Sequence, residues 1–537
     1  MSLDATSVAI PAPTRKSLSS SRSTEMKNLF RHTITSTERS AITQYILDAE
    51  NDIKDYQVEI NRLKTTIWTL ENKKDALQKS MKRFRFLLSP VYKLPPEILI
   101  TIFNFCCETN DLQVKGDSLP MALTLSRVCG RWRDILLSTP RLWRSLSIYF
   151  YGWAPYQQKL SGLARMFMTR SEKLGLRIEL DFTNGDEKLE VILPALTTLI
   201  SNSSRWTALK LIVPASVIKH RVFETVRGHL SKLEYLYLTG CGPTEDVEDA
   251  HVDLFEDCPS LRSFEYKASS PSIIATVPWH QIKSLKLCNY YSTFAFDRLA
   301  LCRNAQRLTL HIVGGGREYR SHIVSSVKDL SLTVHEQVDV SSIFQYSTLR
   351  ELTSLEIRGL FDEPDEGYLV WDEAPLHSFL TRSSCSITSL HLQWLPITDE
   401  QTATLFLQMP SLTRVHLEEY RTNAGANTIV TPLLLTSLLV DHGCSSVSTP
   451  ALLPRLTDMS LVVHQDGLDP DALLKVVTSR WIPDEQYAAE VGVGCLKSFS
   501  LTVMEGDTST VGEKLAGLLC FRDAGMRMTL SRLHVAG

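Results

Sequence analysis

With 537 residues, 43% of them apolar and 22% charged, the chain is too long for one ordinary core, so several domains or a repeat array are expected. A formal net charge of −3 gives no broadly basic face, which argues against nucleic acid or an anionic membrane as a partner. No run approaches the roughly 18 consecutive apolar residues of a membrane span, and the first residues lack the basic-then-apolar order of a secretion signal. The expected location is therefore the cytoplasm and/or the nucleus. The eleven cysteines are scattered, without CxxC or His/Cys zinc spacing, which fits small buried thiols in a reducing compartment and predicts no metal centre.

Residues 1–40 are rich in Ser, Thr, Arg and Lys and poor in large apolar groups. Such a segment cannot bury enough surface to offset its ordering entropy, so a disordered tail is predicted. Its run Arg15–Arg22 is either a solvated stretch or a phosphorylation or nuclear-import signal.

Residues 41–89 carry a 3-4 apolar repeat. Ile46, Ile53, Ile60, Ile67, Lys74, Met81 and Leu88 recur every seven residues, interleaved with Ile42, Ala49, Tyr56, Leu63, Leu70, Leu77 and Phe84. A sustained period of 3.5 without Gly or Pro predicts a long helix with a seam built mainly from Ile46, Ile53, Ile60, Leu63, Ile67, Leu70 and Leu77. Ile at one seam position with Leu at the other favours two parallel strands and hence a homodimer. The alternative is a helix that folds back on its own chain. Pro90 and Pro95-Pro96 end the pattern.

Residues 90–145 then read as a three-helix unit. Leu94-Pro95-Pro96-Glu97 is a helix start, with Pro in the first turn and Glu at the positive end. A short apolar helix follows through Ile98, Leu99, Ile102, Phe103 and Phe105. A loop is expected at Thr109–Pro120. The second helix reads Met121, Leu123, Leu125, Val128, Cys129 and Trp132, and the third begins near Arg133 and stops before Thr139-Pro140. So much apolar surface on so short a unit points to a partner.

Four motifs in order, Leu94-Pro95-Pro96-Glu97, Ile102-Phe103, Val128-Cys129-Gly130-Arg131-Trp132-Arg133 and Pro140-Arg141-Leu142-Trp143, resemble the F-box family. With the heptad helix ahead of them, they look like the expanded F-box-like group of mushroom-forming fungi. That resemblance implies docking to a Skp-type adaptor, and through it to a cullin–RING ubiquitin ligase. It places Leu94, Pro95, Ile98, Leu99, Ile102, Phe103, Val128, Cys129 and Trp132 at the adaptor. The loop at Thr109–Pro120 is longer than the family's commonest form. Val128, Leu136 and Leu142 are also candidates to cap the domain behind.

Residues 146–537 repeat one pattern, apolar-x-x-apolar-x-apolar. It begins at Trp143/Leu146/Ile148 and continues through Trp206/Leu209/Leu211, Leu233/Leu236/Leu238, Leu261/Phe264/Tyr266 and Ile282/Leu285/Leu287. Further copies run from Ala305/Leu308/Leu310 to Leu412/Val415/Leu417, then Leu435/Leu438/Val440, Leu456/Met459/Leu461, Leu496/Phe499/Leu501 and Leu530/Leu533/Val535. Between Leu233 and Leu456 the steps are 28, 21, 23, 22, 25, 35, 25, 23 and 21 residues, mostly in or near the leucine-rich-repeat range. Asp253–Asp257 and Thr402–Met409 read as return helices, and Asp471–Trp481 resembles the late repeats of the same fungal proteins. Several copies lack the Asn of the repeat family. The expected fold class is α/β: a long heptad helix, a three-helix unit, then an irregular solenoid with a parallel sheet and return helices.

No catalytic constellation emerges. Gly314-Gly315-Gly316 lacks the strand and helix of a nucleotide loop and reads as a turn. His251, His280, His311, His322 and His335 are dispersed. No cofactor is expected. The resemblance implies a non-enzymatic substrate receptor of an SCF-type ligase that holds an unknown protein substrate on the repeats. The alternative is a scaffold outside ubiquitin transfer, or a pure protein-binding repeat module. The exposed x positions and the insertions Phe361–Glu373 and Asn423–Asn427 would set specificity, for a protein, a phosphodegron or a glycan.

Overall fold

The computed structural model describes residues 30, 33–113, 119–150, 157–183, 189–241, 250–268, 273–290, 292–312, 322–334, 337–359, 371–422, 425–427, 429–443, 451–504 and 516–533. The run Arg15–Arg22, the glycines 314–316, His335, Val535 and most of the insertion at 361–373 lie outside these residues. The chain divides into two compact units, Met1–Pro95 and Pro96–Gly537.

The first unit is dominated by helix α1, Ser36–Leu87, of 52 residues. It starts inside the segment expected to be a disordered tail. A reciprocal cap explains the early start: the Glu38 amide donates to Thr35 Oγ1 at 3.4 Å, and the Thr35 amide donates to the Glu38 carboxylate at 2.9 Å. Two otherwise orphaned donors are satisfied there. Ile46, Ile53, Ile60, Leu63, Ile67, Leu70 and Leu77 are all exposed. A 3-10 turn, Pro90–Lys93, follows the helix.

The second unit is built on one parallel sheet of 15 strands. In chain order these are β1 (Asp111–Gln113), β2 (Ser145–Tyr149), β3 (Leu176–Asp181), β4 (Trp206–Val213), β5 (Tyr235–Gly240), β6 (Ser263–Lys267), β7 (Ser284–Tyr290) and β8 (Arg307–Ile312). They continue as β9 (Asp329–Val334), β10 (Ser354–Gly359), β11 (Ser389–Gln393), β12 (Arg414–Glu418), β13 (Asp458–His464), β14 (Ser498–Met504) and β15 (Arg527–Leu533). Each strand pairs with the next in sequence, so the sheet grows in one direction only, as a stack of repeats does.

Register follows the apolar pattern. Leu236, Phe264, Leu285, Leu308, Leu330, Leu355, Leu390, Val415, Met459 and Phe499 form one continuous row. Two residues on, Leu238 to Leu501 form a second. Both rows are buried, and each such side chain contributes about 1.5–3 kcal/mol of transfer free energy. A slip by one residue would turn both rows outward, which fixes the pairing.

A hydroxyl ladder runs beside them. Thr353, Thr388, Thr413 and Thr457 each donate through Oγ1 to the main-chain carbonyl of the preceding repeat, at 3.0–3.2 Å. Here threonine satisfies main-chain carbonyls between successive repeats.

Several expectations are corrected. The presumed loop at Thr109–Pro120 contains β1, which pairs in parallel with β2. Strand β3 was missed because its pairing with β4 carries a bulge between Leu176 and Arg177, so Leu176, Ile178 and Leu180 break the spacing. Asp253–Asp257 is a turn rather than a helix. Thr402–Met409 falls in a helix, Asp399–Gln408, opened by a Thr398/Gln401 capping box. The copy Leu435/Leu438/Val440 is not a strand: Thr431 caps and Pro432 opens a helix, Pro432–Ser437, in its place. In the last copy Leu530 pairs with Leu501, so the triplet there was read out of register.

The step from β12 to β13 is consequently long, with Thr457 lying 44 residues after its neighbour Thr413. Arg480 holds this wide repeat together. It is fully buried and donates to Leu438 O at 2.7 Å, Leu453 O at 3.0 Å and Leu452 O. Burial pushes its guanidinium down to about 10.

Candidate functional site

Helix α2, Pro96–Cys106, has two apolar faces. Leu99 and Phe103 are buried, whereas Ile98, Ile102 and Phe105 are exposed, Phe105 by 77%. The spacing 98, 102, 105 lines the exposed three along one stripe. Helix α3, Met121–Ser126, and helix α4, Gly130–Leu137, pack beside it. The Phe103 and Trp132 rings meet edge to face at 4.8 Å. Met121, Val128 and Leu137 add exposed apolar surface.

The break between the second and third helices comes earlier than the sequence suggests. Cys129 is the N-cap of α4, with its Sγ accepting from the Trp132 amide at 3.5 Å. Cys129 and Trp132 are half-buried. In the first unit, Leu94 is half-buried and Pro95 exposed. The predicted adaptor set thus divides: Ile98, Ile102, Val128 and Pro95 are available at the surface, while Leu99 and Phe103 are occupied inside the unit.

One residue that sequence reasoning missed organises this region. Asn110 is fully buried. Its Nδ2 donates to Leu142 O and Ser145 O at 3.1 Å and to Cys107 O at 3.4 Å, and its Oδ1 accepts from the Ala122 amide at 2.9 Å. The end of α2, the start of α3 and the entry to β2 therefore meet at one amide. Trp143 is buried too, donating through Nε1 to Leu136 O at 2.8 Å. Phe167 packs on its ring edge at 5.1 Å, and the Arg170 guanidinium lies 4.3 Å from its centroid. These contacts fuse the three-helix unit to the sheet. Val128, a candidate for that capping role, is exposed, whereas Leu136 and Leu142 are buried.

The x positions of the strands form rows of their own. Glu179, Lys210, Tyr237, Glu265 and Lys286 are successive neighbours in one row. They pair internally, Lys210 with Glu179 at 2.6 Å and Lys286 with Glu265 at 2.7 Å. Farther along, the row continues through Glu356, His391 and His416 to Ser460. The His391 and His416 rings stand edge to face, 4.0 Å apart. One donor atom each from His391, His416 and Glu418 lies within 4.8 Å of the others. Burial, with the neighbouring His416, pushes His391 down to about 4. At Glu418 burial opposes ionisation, but hydrogen bonds from His416, Gln393 and Trp394 outweigh it and hold the carboxyl low. No local spacing announced this trio, because its histidines sit on different strands.

Among the described residues no helix is long and apolar enough to cross a membrane. Residues 91–149 match the F-box-like family. The class defined is thus an F-box-like domain joined to a long parallel-strand repeat array. Such a domain suggests a role in substrate recognition within SCF-type ubiquitin ligases. Among curated proteins, none matches the chain.

Proposed function

We propose that this chain is a substrate receptor of an SCF-type cullin–RING ubiquitin ligase. It docks on a Skp-type adaptor through the exposed face of α2 with Val128, and it holds a protein substrate on the outward rows of the sheet. It acts without chemistry of its own, in the cytoplasm and/or the nucleus. The observation that carries the reading is the exposed stripe Ile98, Ile102 and Phe105 inside the F-box-like match. Solvent-facing Ile and Phe on a short helix whose other face is already packed are the signature of a partner surface. Helix α1 supports a further element, since its exposed heptad seam fits a parallel homodimer that would present two receptors together.

The test is capture of a purified Skp-type adaptor by the full chain. The double change Ile98→Asp with Ile102→Asp should weaken binding about a thousandfold, at roughly 2 kcal/mol per anchor, with the circular dichroism spectrum unchanged. Unaltered capture by that variant would refute the docking face. Leu99→Asp is unsuitable, because Leu99 is interior and its loss would report folding.

A further inference from the structure

We propose that His391, His416 and Glu418, on strands β11 and β12, form a binding site for a divalent transition ion of the zinc class. The inference stands apart from adaptor docking.

The chemistry of the set is specific. Two imidazoles and one carboxylate suit zinc, cobalt or nickel rather than calcium or magnesium, which prefer oxygen alone. The three donor atoms already lie within 4.8 Å of one another, so ligation at about 2.0–2.2 Å requires a small closure of side chains and no backbone rearrangement. His391 and His416 are directly paired across the sheet, which holds their rings in place from below.

A second observation concerns the His391 imidazole itself. His391 Nε2 is screened from solvent and has no hydrogen-bond partner among the described residues. A buried polar atom left unsatisfied is costly, about 1–3 kcal/mol, and an ion there would take its lone pair.

The surroundings are those of a ligand set held in orientation. His416 Nδ1 lies 2.9 Å from the Ser460 hydroxyl, a partner that would hold the proton at Nδ1 once Nε2, on the Glu418 side, coordinates an ion. Gln393 Nε2 and Trp394 Nε1 each donate to a different oxygen of Glu418, at 2.7 and 2.9 Å. The Glu356 carboxylate is 3.7 Å from His391 Nδ1. Arg358, a nearby cation, is turned toward Glu356 at 3.9 Å and the Trp394 ring. Four carriers of the site, His391, His416, Glu418 and Ser460, come from three consecutive strands, so the ion would staple β11 to β12 with support from β13.

Three protein donors leave a coordination position unfilled. The trio is part-exposed on the outward rows, so the remaining ligand is to come from outside the trio. Water, or a carboxylate, imidazole or thiolate side chain of a bound protein, completes the shell there.

The test uses the untagged full chain, titrated with Co²⁺ and followed by its visible absorption, then with Zn²⁺ by calorimetry and by displacement of cobalt. Wild type should bind one ion per chain at this site and gain thermal stability. The pair His391→Ala with His416→Ala, and separately Glu418→Gln, should lose that equivalent, while Ser460→Ala should weaken it about tenfold. Circular dichroism establishes that each variant is folded; Glu418→Gln, which keeps the side-chain volume, serves if the histidine pair is not. The proposal is overturned if wild type shows no cobalt absorption, or if a folded variant binds with wild-type stoichiometry and affinity.

Discussion

Helix α1 and the strand array use the same kind of residue in opposite ways. Along α1 the apolar side chains recur every seven positions and stand exposed. In the array they recur in every repeat, and each lies buried beside its counterpart on the next strand. An array supplies its own partner at each step, so its apolar residues are satisfied within one chain. A single helix cannot, and its seam stays exposed unless a second helix covers it. The longest exposed apolar runs among the described residues accordingly lie on α1 and on one stripe of α2, whereas the inward rows of the array are buried.

That contrast can be broken from the array side first. Arg480→Met should remove three hydrogen bonds to carbonyls at the wide repeat, two of them buried. With each orphaned carbonyl costing about 1–3 kcal/mol, the array should lose on the order of 4 kcal/mol in denaturant titration. A loss under about 1 kcal/mol would mean that water replaces the guanidinium. The contrast sharpens on the helix side with Ile60→Asp plus Leu63→Asp. Light scattering should then show the mass falling from two chains to one, with the array melting where it did before. A monomeric wild type would remove the dimer and leave the seam for another partner. The smallest effect tests the ladder: Thr413→Val keeps the shape and deletes one bond to Thr388 O, at a cost of about 1 kcal/mol.

Legibility differed along the chain for physical reasons. The heptads of α1 and most strands could be read because a regular period is a local property of the sequence. Helix α1 began earlier than composition implied, since one cap between Thr35 and Glu38 outweighs the polarity around it. Strand β3 escaped notice because a bulge shifts its spacing. Leu435 and Leu438 misled because a Thr-Pro helix start can bury leucines as well as a strand can. In the F-box-like unit the apolar residues were legible, but not their division, since Leu99 and Ile98 differ by one position and face opposite environments.

The repeat, the long helix and the order of the F-box-like motifs could be read directly, because each is written in spacing along the chain. Which apolar residues of α2 remain outside, where Asn110 and Arg480 send their hydrogen bonds, and that His391 and His416 are neighbours emerge only on folding. Those outcomes depend on which strand lies next to which, and residues a whole repeat apart become adjacent only when the sheet is stacked.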